Sequence, residues 1–257
     1  MNNSAKRVLE ILELFAQSPV SMTVSEVAST LGYPKTSVFD IISILHERGF
    51  IRQDNARAKT YVIGVKAYQV GMSYLRHADL YSIVHPILAD IRDRLGETCY
   101  FAIEEKGQII YIDKLESSAP IRSSCNVGSN NLMHLTGLGK AILAAWPDEK
   151  VRGMFTGALE VHTAATIADV DSLIEELHKT RIRGYALDLG EDNPYIRCTA
   201  APIYDSRSNV AGAVSISMLD NRFTPAMQER AGEEITKAAL CISQQLGYRE
   251  KRLYHQL

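Results

Sequence analysis

VSEVASTLGYPKTSVFDIISILHERGFI, residues 24–51, is the stretch of sequence that decides the fold of this chain. Gly32 ends a short amphipathic helix, because a residue without Cβ adopts the left-handed turn easily. Pro34 then favours the start of a second helix, since its fixed φ suits a first turn. The apolar residues of that second helix recur at helical spacing and form one buried stripe, namely Val38, Ile41, Ile42 and Leu45. Two helices joined by a short glycine turn are typical of a helix-turn-helix.

The outer face of the second helix carries small polar and basic side chains. This face consists of Lys35, Thr36, Ser37, Phe39, Asp40 and Ser43. Such a helix fits the major groove of double-stranded DNA, where Ser, Thr and Lys reach phosphates and base edges. An ordinary helical hairpin inside a core would show the same apolar pattern, so residues 24–51 alone leave both interpretations open.

The segment that follows favours DNA binding. Two apolar strand segments, Phe50–Ile51 and Tyr61–Gly64, flank the polar run RQDNARAKT, a pattern that predicts a β-hairpin. Arg52, Arg57 and Lys59 lie on this hairpin, where they can meet phosphates. With an amphipathic helix ahead of the motif, residues 1–64 are predicted to be a winged helix-turn-helix domain that binds a double-stranded DNA operator. Seven basic and six acidic residues give these residues a net charge of only +1, so a homodimer with doubled phosphate contacts is expected.

The remainder of the 257 residues is long enough for a second domain with its own core. Residues 65–78 are predicted to form a linker helix whose apolar stripe is a candidate dimer contact. Residues 79–257 mix helices with strand segments, including a hairpin around Lys106 and Gly107 and a third strand at residues 121–127. The resulting prediction is an α+β fold with a mainly antiparallel sheet.

Composition excludes several classes of protein. The four cysteines have no CxxC spacing, and no apolar run resembles a signal peptide or is long enough to cross a membrane. A cytoplasmic protein with free thiols and no membrane association is therefore expected. The scattered His and Cys residues lack the spacing of metal ligands, so neither a metal nor a cofactor is predicted, and zinc held by these residues is left as an open alternative.

Three ordered blocks of sequence resemble the IclR family of bacterial transcription regulators. They are the helix-turn-helix with its PKTSV core, GSNNLMHLTGLGKAILA at residues 128–144, and GYALDLGEDNPYIRCTAAPIYD at residues 184–205. The resemblance implies an N-terminal winged helix and a C-terminal effector-binding domain related to GAF domains. It also implies homodimers or homotetramers that act as repressors or activators of operons for the catabolism of small organic compounds.

Four features depart from the pattern of that family. Leu132 stands in place of its proline, Tyr195 in place of its glycine, and the acidic pair is spaced as Glu191-Asp192. These changes concern the expected pocket wall and therefore the effector. Asp40 stands where many relatives carry Arg; an acid there repels phosphate but can accept a hydrogen bond from cytosine N4.

The second block also has a physical interpretation of its own. Thr136-Gly137-Leu138-Gly139 begins a helix, whose first N–H groups have no internal partner and whose dipole makes that end positive. The block therefore predicts a seat for an anion, such as the carboxylate of a small effector. The alternative is that Gly137 and Gly139 only permit tight helix packing.

The resemblance further implies which residues contact the effector. They match Gly137, Leu138, Asp188, Ile196, Cys198, Ser215 and Ser217, and more loosely Asn131 and Ser123. Ser215 and Ser217 share one face of a strand and suggest a pocket lined for hydrogen bonding, although both could instead bond to neighbouring backbone. A buried Cys198 is more often a small apolar filler.

Two other functions compete with a ligand-controlled regulator. An enzyme could use Cys198 with His134, but no GxSxG elbow, HExxH helix or metal-ligand cluster supports catalysis, so we predict that the protein is not an enzyme. A purely architectural DNA-binding dimer would not need so large a second domain or an anion seat. Release of operator DNA by an unaltered ligand would separate the three possibilities.

Overall fold

The computed structural model describes residues 3–77, 79–121, 125–155 and 157–254. Within them the chain forms two compact units, Met1–Asp79 and Leu80–Leu257. Each unit has its own apolar core. None of the helices in the described residues is long and apolar enough to span a lipid bilayer.

The first unit is the predicted winged helix-turn-helix. Its helices are α1 (Asn3–Gln17), α2 (Val24–Leu31), α3 (Lys35–Glu47) and α4 (Val65–His77). Thr23 and Glu26 form a reciprocal capping box at the start of α2, and Gly32 ends that helix with a φ of 67°. The predicted stripe of α3 faces the core, where Val38 and Ile42 are fully buried.

The predicted hairpin is confirmed as an antiparallel wing. Strand β2 (Ile51–Asn55) pairs with β3 (Thr60–Ile63), and a short strand that the sequence did not reveal, β1 (Met22–Thr23), adds to the other edge of β3. The Asn55 side chain accepts hydrogen bonds from the backbone N–H groups of Arg57 and Ala58 at 2.9 and 3.1 Å. This local bonding shapes the turn and leaves the basic side chains of the wing exposed.

Helix α4 occupies the place of the predicted linker helix. The side chains of Val65, Tyr68 and Val70 are more than half exposed. The side chains of residues 72–79, which include the rest of the predicted stripe, lie outside the described residues. Its role as a dimer contact stays a prediction.

The second unit is built on one six-stranded antiparallel sheet, as the sequence predicts. The strand order is β6-β5-β4-β9-β8-β7. The strands are β4 (Thr98–Glu105), β5 (Gln108–Leu115), β6 (Asn130–Leu132), β7 (Ala186–Asp188), β8 (Ile196–Tyr204) and β9 (Val210–Leu219). The β4–β5 turn places Lys106 at φ 52° and Gly107 at φ 82°, the left-handed pair that a tight hairpin needs.

The prediction of a third strand at residues 121–127 is wrong where it can be judged. Residues 122–124 lie outside the described residues, and Cys125–Val127 are not in a strand. Gly128, with a φ of 86°, turns the chain and donates its N–H to the Tyr111 carbonyl at 2.7 Å. Strand pairing therefore begins only after this turn, at Asn130.

Helices cover the sheet. They are α5 (Asp79–Leu95), α6 (Gly137–Ala144), α7 (Asp148–Met154), α8 (Val170–Arg183) and α9 (Pro225–Gln245). Thr136, Asp169 and Thr224 cap α6, α8 and α9 through their side-chain oxygens. Helix α6 packs on β8 and β9, and α9 packs on the same two strands. The seven-residue α7, which follows Pro147, was not predicted.

The far end of α6 is held by residues distant in sequence. At the end of α6 the Ala145 N–H donates to the Ile142 carbonyl at 3.0 Å instead of to the Ala141 carbonyl one full turn earlier. The Ala141 carbonyl therefore lacks its usual helical donor. The buried hydroxyl of Tyr254 donates to that carbonyl at 3.4 Å. The Arg181 side chain donates to the Ala144 carbonyl at 2.8 Å. The last turn of α6 is thereby satisfied from α8 and from the C-terminal segment.

Candidate functional site

The recognition face of the first unit remains available to a partner. Five of the predicted side chains on α3 are exposed, namely Lys35, Thr36, Phe39, Asp40 and Ser43. On the wing, Arg52, Arg57 and Lys59 are exposed. The carboxylate of Asp54 lies 3.5 Å from Arg52, an exposed pairing that contributes little and leaves the guanidinium free to exchange partners.

Ser37 differs from the other predicted DNA contacts. It is half-buried, and its hydroxyl accepts a hydrogen bond from the Arg7 guanidinium at 3.2 Å. Arg7 lies on α1, 30 positions earlier in the chain, so spacing within the helix-turn-helix could not reveal the contact. The only signal in the sequence was a basic residue on the helix that precedes the motif.

A cavity of about 290 Å³ lies in the second unit, between the sheet and the start of α6. Its lining brings together seven of the nine residues predicted to contact an effector: Gly137, Leu138, Asp188, Ile196, Cys198, Ser215 and Ser217. Asn131 is not in the lining, but its side chain donates to Asp192 at 3.0 Å. Ser123 lies outside the described residues.

The rest of the lining was not among the residues predicted to contact an effector, although Thr136 begins the predicted anion seat and Asp192 belongs to the altered acidic pair. It consists of Tyr100, Tyr111, Cys125, Thr136, Asp192 and Asn193. The two tyrosine rings meet edge to face with centroids 5.4 Å apart and give one wall an aromatic surface. They lie on β4 and β5, where an alternating apolar pattern does not distinguish a cavity wall from an ordinary core.

Strand register explains why the polar residues of β8 and β9 converge. Cys198 pairs directly with Ser217, and Ala200 pairs with Ser215. The Cys198 thiol donates to the Ser217 hydroxyl at 3.2 Å, and burial raises the pKa of that thiol well above its usual range. Among the described residues neither serine hydroxyl bonds to backbone, so both are directed toward the cavity.

The candidate catalytic pair is not assembled. Cys198 is a half-buried thiol whose raised pKa favours the protonated form, and it donates to a serine rather than to a base. The His134 ring nitrogen Nε2 lies 2.8 Å from the Glu160 carbonyl oxygen, and His134 is not part of the cavity lining. This arrangement gives no nucleophile–base contact.

The start of α6 forms part of the cavity. The Thr136 hydroxyl accepts from the Gly139 N–H at 3.0 Å. The Gly137 and Leu138 N–H groups also belong to the first turn, which has no carbonyl one turn earlier in the helix. A Cβ at Gly139 would overlap the Met133 carbonyl, so Gly139 serves packing; a Cβ at Gly137 would only touch its neighbours at 3.4 Å. The anion-seat interpretation therefore concerns Gly137 and Leu138.

A buried group of charges lies next to this helix start. Lys140 and Glu191 form an ion pair with almost no exposure. Burial and the neighbouring Glu191 raise the pKa of Asp188 well above its usual range. Burial alone would raise the pKa of Glu191, but the hydrogen bond from Asp188 and the Lys140 ammonium lower it. The Asp188 carboxyl accepts from the backbone N–H groups of Gly190 and Glu191 at 2.9 and 3.1 Å, and its raised pKa favours the protonated form beside the Glu191 carboxylate.

Asp192 anchors the rim of the cavity. Its carboxylate accepts from Asn131 and lies 2.9 Å from the His162 ring, whose other nitrogen lies 3.0 Å from Glu160. Glu160 and Asp192 together raise the pKa of His162. The rim therefore pairs its acidic group with a histidine that is easily protonated. Among the described residues no cluster of three or more His, Cys, Asp or Glu is placed to hold a metal ion.

Comparison with known proteins places both units in one family. A model of the IclR helix-turn-helix domain matches residues 4–55, and one described as bacterial transcriptional regulator IclR C-terminal matches residues 72–244. The Transcriptional repressor IclR of Escherichia coli (strain K12) is 34% identical over 245 residues, which cover 91% of this chain and 89% of that protein. The Acetate operon repressor of Salmonella typhimurium is 33% identical, with coverage of 92% and 87%. The crystal structure of the Thermotoga maritima IclR superposes with a TM-score of 0.82 at 31% identity, covering 96% of this chain and 100% of that one.

Proposed function

We propose, because the chain belongs to the IclR family of bacterial transcriptional regulators, that its operator binding is controlled by a small carboxylate held in the cavity of the second unit. The protein is a DNA-binding regulator and not an enzyme. The proposal concerns the chemical class of the effector and the residues that hold it. The observation that carries it is the N-terminus of α6, which opens onto the cavity at Gly137 and Leu138.

The charges around the cavity favour an anion. The raised pKa of Asp188 favours its uncharged form, which does not repel a carboxylate, and the rim acid Asp192 is paired with His162. The first-turn N–H groups of α6 and the positive end of its dipole supply the attraction. A volume of about 290 Å³ lies at the lower end of ligand cavities, which run from about 300 to 1,000 Å³, so a small acid fits better than a large one.

The opposite side of the cavity supplies hydrogen bonds for a second polar group. Ser215 and Ser217 are directed into it, and a hydroxyl or keto group on the ligand would meet them. Two or three hydrogen bonds of about 1–3 kcal/mol each suit the reversible micromolar binding of a metabolite sensor. The Acetate operon repressor, one of the relatives, is named for an operon of a small carboxylate, which agrees with this class of effector.

On the DNA side, we propose that a homodimer, or a tetramer of two dimers, binds a pseudo-palindromic operator beside a catabolic operon. One recognition helix and one short wing per chain give too little surface for tight binding by a monomer. Lys35 and Arg52 would contact phosphates, so replacing either by Ala should weaken binding to all sequences. Thr36 and Asp40 would contact bases, so their replacement should change preference at particular positions. A footprint without half-site symmetry would contradict the dimer.

The effector class is tested by titration calorimetry and operator release. Acetate, lactate, pyruvate and benzoate are compared with the corresponding neutral amides, which lack the anionic group. The operator is first selected from random DNA with this protein. We expect an acid to bind the protein and to release it from this operator, while the corresponding amide does neither. The variant Ser215→Val with Ser217→Val should lose the ligand response but keep operator affinity. Binding of the acid to the double variant with unchanged affinity would contradict the assignment of the cavity.

A further inference from the structure

Arg7 links the first helix of the DNA-binding unit to the recognition helix. Its guanidinium donates to the Ser37 hydroxyl at 3.2 Å, in the first turn of α3. The guanidinium carbon also lies 4.9 Å from the centroid of the Tyr33 ring, in a cation–π arrangement. Arg7 is half-buried, so these contacts fix the side chain rather than leave it to move in solvent.

The Arg7 guanidinium has no direct ion-pair partner in the described part of the chain, although Glu10 acts on its charge at longer range. Among the described residues no carboxylate oxygen lies within 4.0 Å of its guanidinium. The nearest acid on the same helix, Glu10, is engaged by the Tyr33 hydroxyl and by Lys6 at 3.5 Å. Arg7 instead lies against the N-terminal turn of α3, which is the positive end of a helix dipole and also carries Lys35.

A cation fixed beside other positive groups is unfavourable unless an anion joins them. One guanidinium N–H is used by Ser37, and the remaining N–H groups keep the fork geometry that matches a phosphate. In a helix-turn-helix the N-terminal end of the recognition helix enters the major groove, with phosphates on either side. We propose that Arg7 is a phosphate contact of the operator complex, which extends the DNA interface from α3 and the wing to α1.

The neighbouring Lys6 offers a matched control. Arg7→Ala and Lys6→Ala each remove one positive charge from adjacent positions, but Lys6 is 61% exposed and paired with Glu10. Fluorescence anisotropy with the selected operator and with an unrelated duplex, across a range of KCl, separates a direct contact from a general loss of charge. We expect Arg7→Ala to weaken binding to both duplexes about tenfold and to reduce the slope of log K against log salt by about 0.9. Lys6→Ala should leave the slope unchanged.

Two further variants keep the proposal falsifiable. If Arg7 only positions Ser37, then Ser37→Ala should weaken operator binding as much as Arg7→Ala does. It should also leave binding to the unrelated duplex and the salt slope unchanged. That combination of results would overturn the phosphate contact. Arg7→Lys keeps the charge without the fork and should retain the slope with a smaller loss of affinity. It serves as the decisive variant if Arg7→Ala unfolds, and an Arg7→Lys protein with a reduced slope would also refute the proposal. Wild-type binding in the same assay tests the regulator function separately.

Discussion

Replacing Lys140 by Met should destabilise the second unit strongly, because it leaves buried acids without their cation. The Lys140 side chain is 1% exposed and pairs with Glu191, whose side chain is 6% exposed. The pKa of the neighbouring Asp188 is already raised by burial and by Glu191, and an acid cannot replace the lost positive charge. Methionine fills nearly the same volume, so the loss reports the charge rather than a void.

The expected cost is about 3–5 kcal/mol at pH 7, the range for removing one partner of a buried ion pair. For a domain of this size it corresponds to a fall in Tm of roughly 6–20 °C. In the wild type the pKa of Glu191 is lowered, so its contribution is present above the unfolded pKa of about 4.3 and is lost as pH falls. In Lys140→Met we expect the pKa of Glu191 in the folded protein to lie above its unfolded pKa, because the ammonium is gone. The stability of the variant should therefore fall as pH rises. The difference between the two proteins should therefore grow from pH 4.5 to pH 8.

Urea unfolding followed by circular dichroism measures this difference at several pH values. Lys237→Met is the matched control, since Lys237 is 68% exposed and pairs with Glu233 on the surface; it should cost less than about 1 kcal/mol. Adding Glu191→Gln to Lys140→Met should recover part of the loss, because no charge then remains unpaired. A cost below about 1 kcal/mol for Lys140→Met, or one that does not change with pH, would refute the reasoning.

Three further substitutions test helix α6 and the rim of the cavity. Gly139→Ala should cost about 1–3 kcal/mol in urea unfolding, because its Cβ would overlap the Met133 carbonyl; an unchanged midpoint would show that the helix start can shift. An NMR titration of His162 should give a pKa above about 6.5, and Asp192→Asn should lower it. The His162–Asp192 pair contributes fully to stability below the pKa that His162 has in the unfolded chain. This contribution disappears as pH rises through the pKa of His162 in the folded protein. Tyr254→Phe should cost about 1 kcal/mol by leaving an α6 carbonyl unsatisfied; equal stability of both proteins would contradict that hydrogen bond.

The helix-turn-helix could be predicted from sequence because each of its signals is local. Val38 and Ile42 recur at helical spacing, Gly32 stops the preceding helix, and the wing is a hairpin with a polar turn. The antiparallel sheet of the second unit was likewise visible in its alternating strands. Strand β6 was misplaced because its position depends on the turn at Gly128 and on pairing with β5, which no periodic pattern encodes.

Contacts between distant segments explain what the sequence could not reveal about the sites. Arg7 reaches Ser37 across 30 positions, and Lys140 reaches Glu191 across 51. The sequence names Asp188 as an effector contact, but its raised pKa depends on burial and on Glu191, neither of which spacing can supply. Residue type and alternation located the cavity wall, whereas its charge state arises only from the folded surroundings.

Helix α6 connects the cavity to the C-terminal segment of the chain. Its first turn opens on the cavity, while its last turn is held by Arg181 and by Tyr254. The two ends of an eight-residue helix are about 12 Å apart. Tyr254 lies beyond residue 244, where the matched family model stops. Substitutions in this terminal segment can therefore loosen the last turn of α6 while every residue that lines the cavity stays the same.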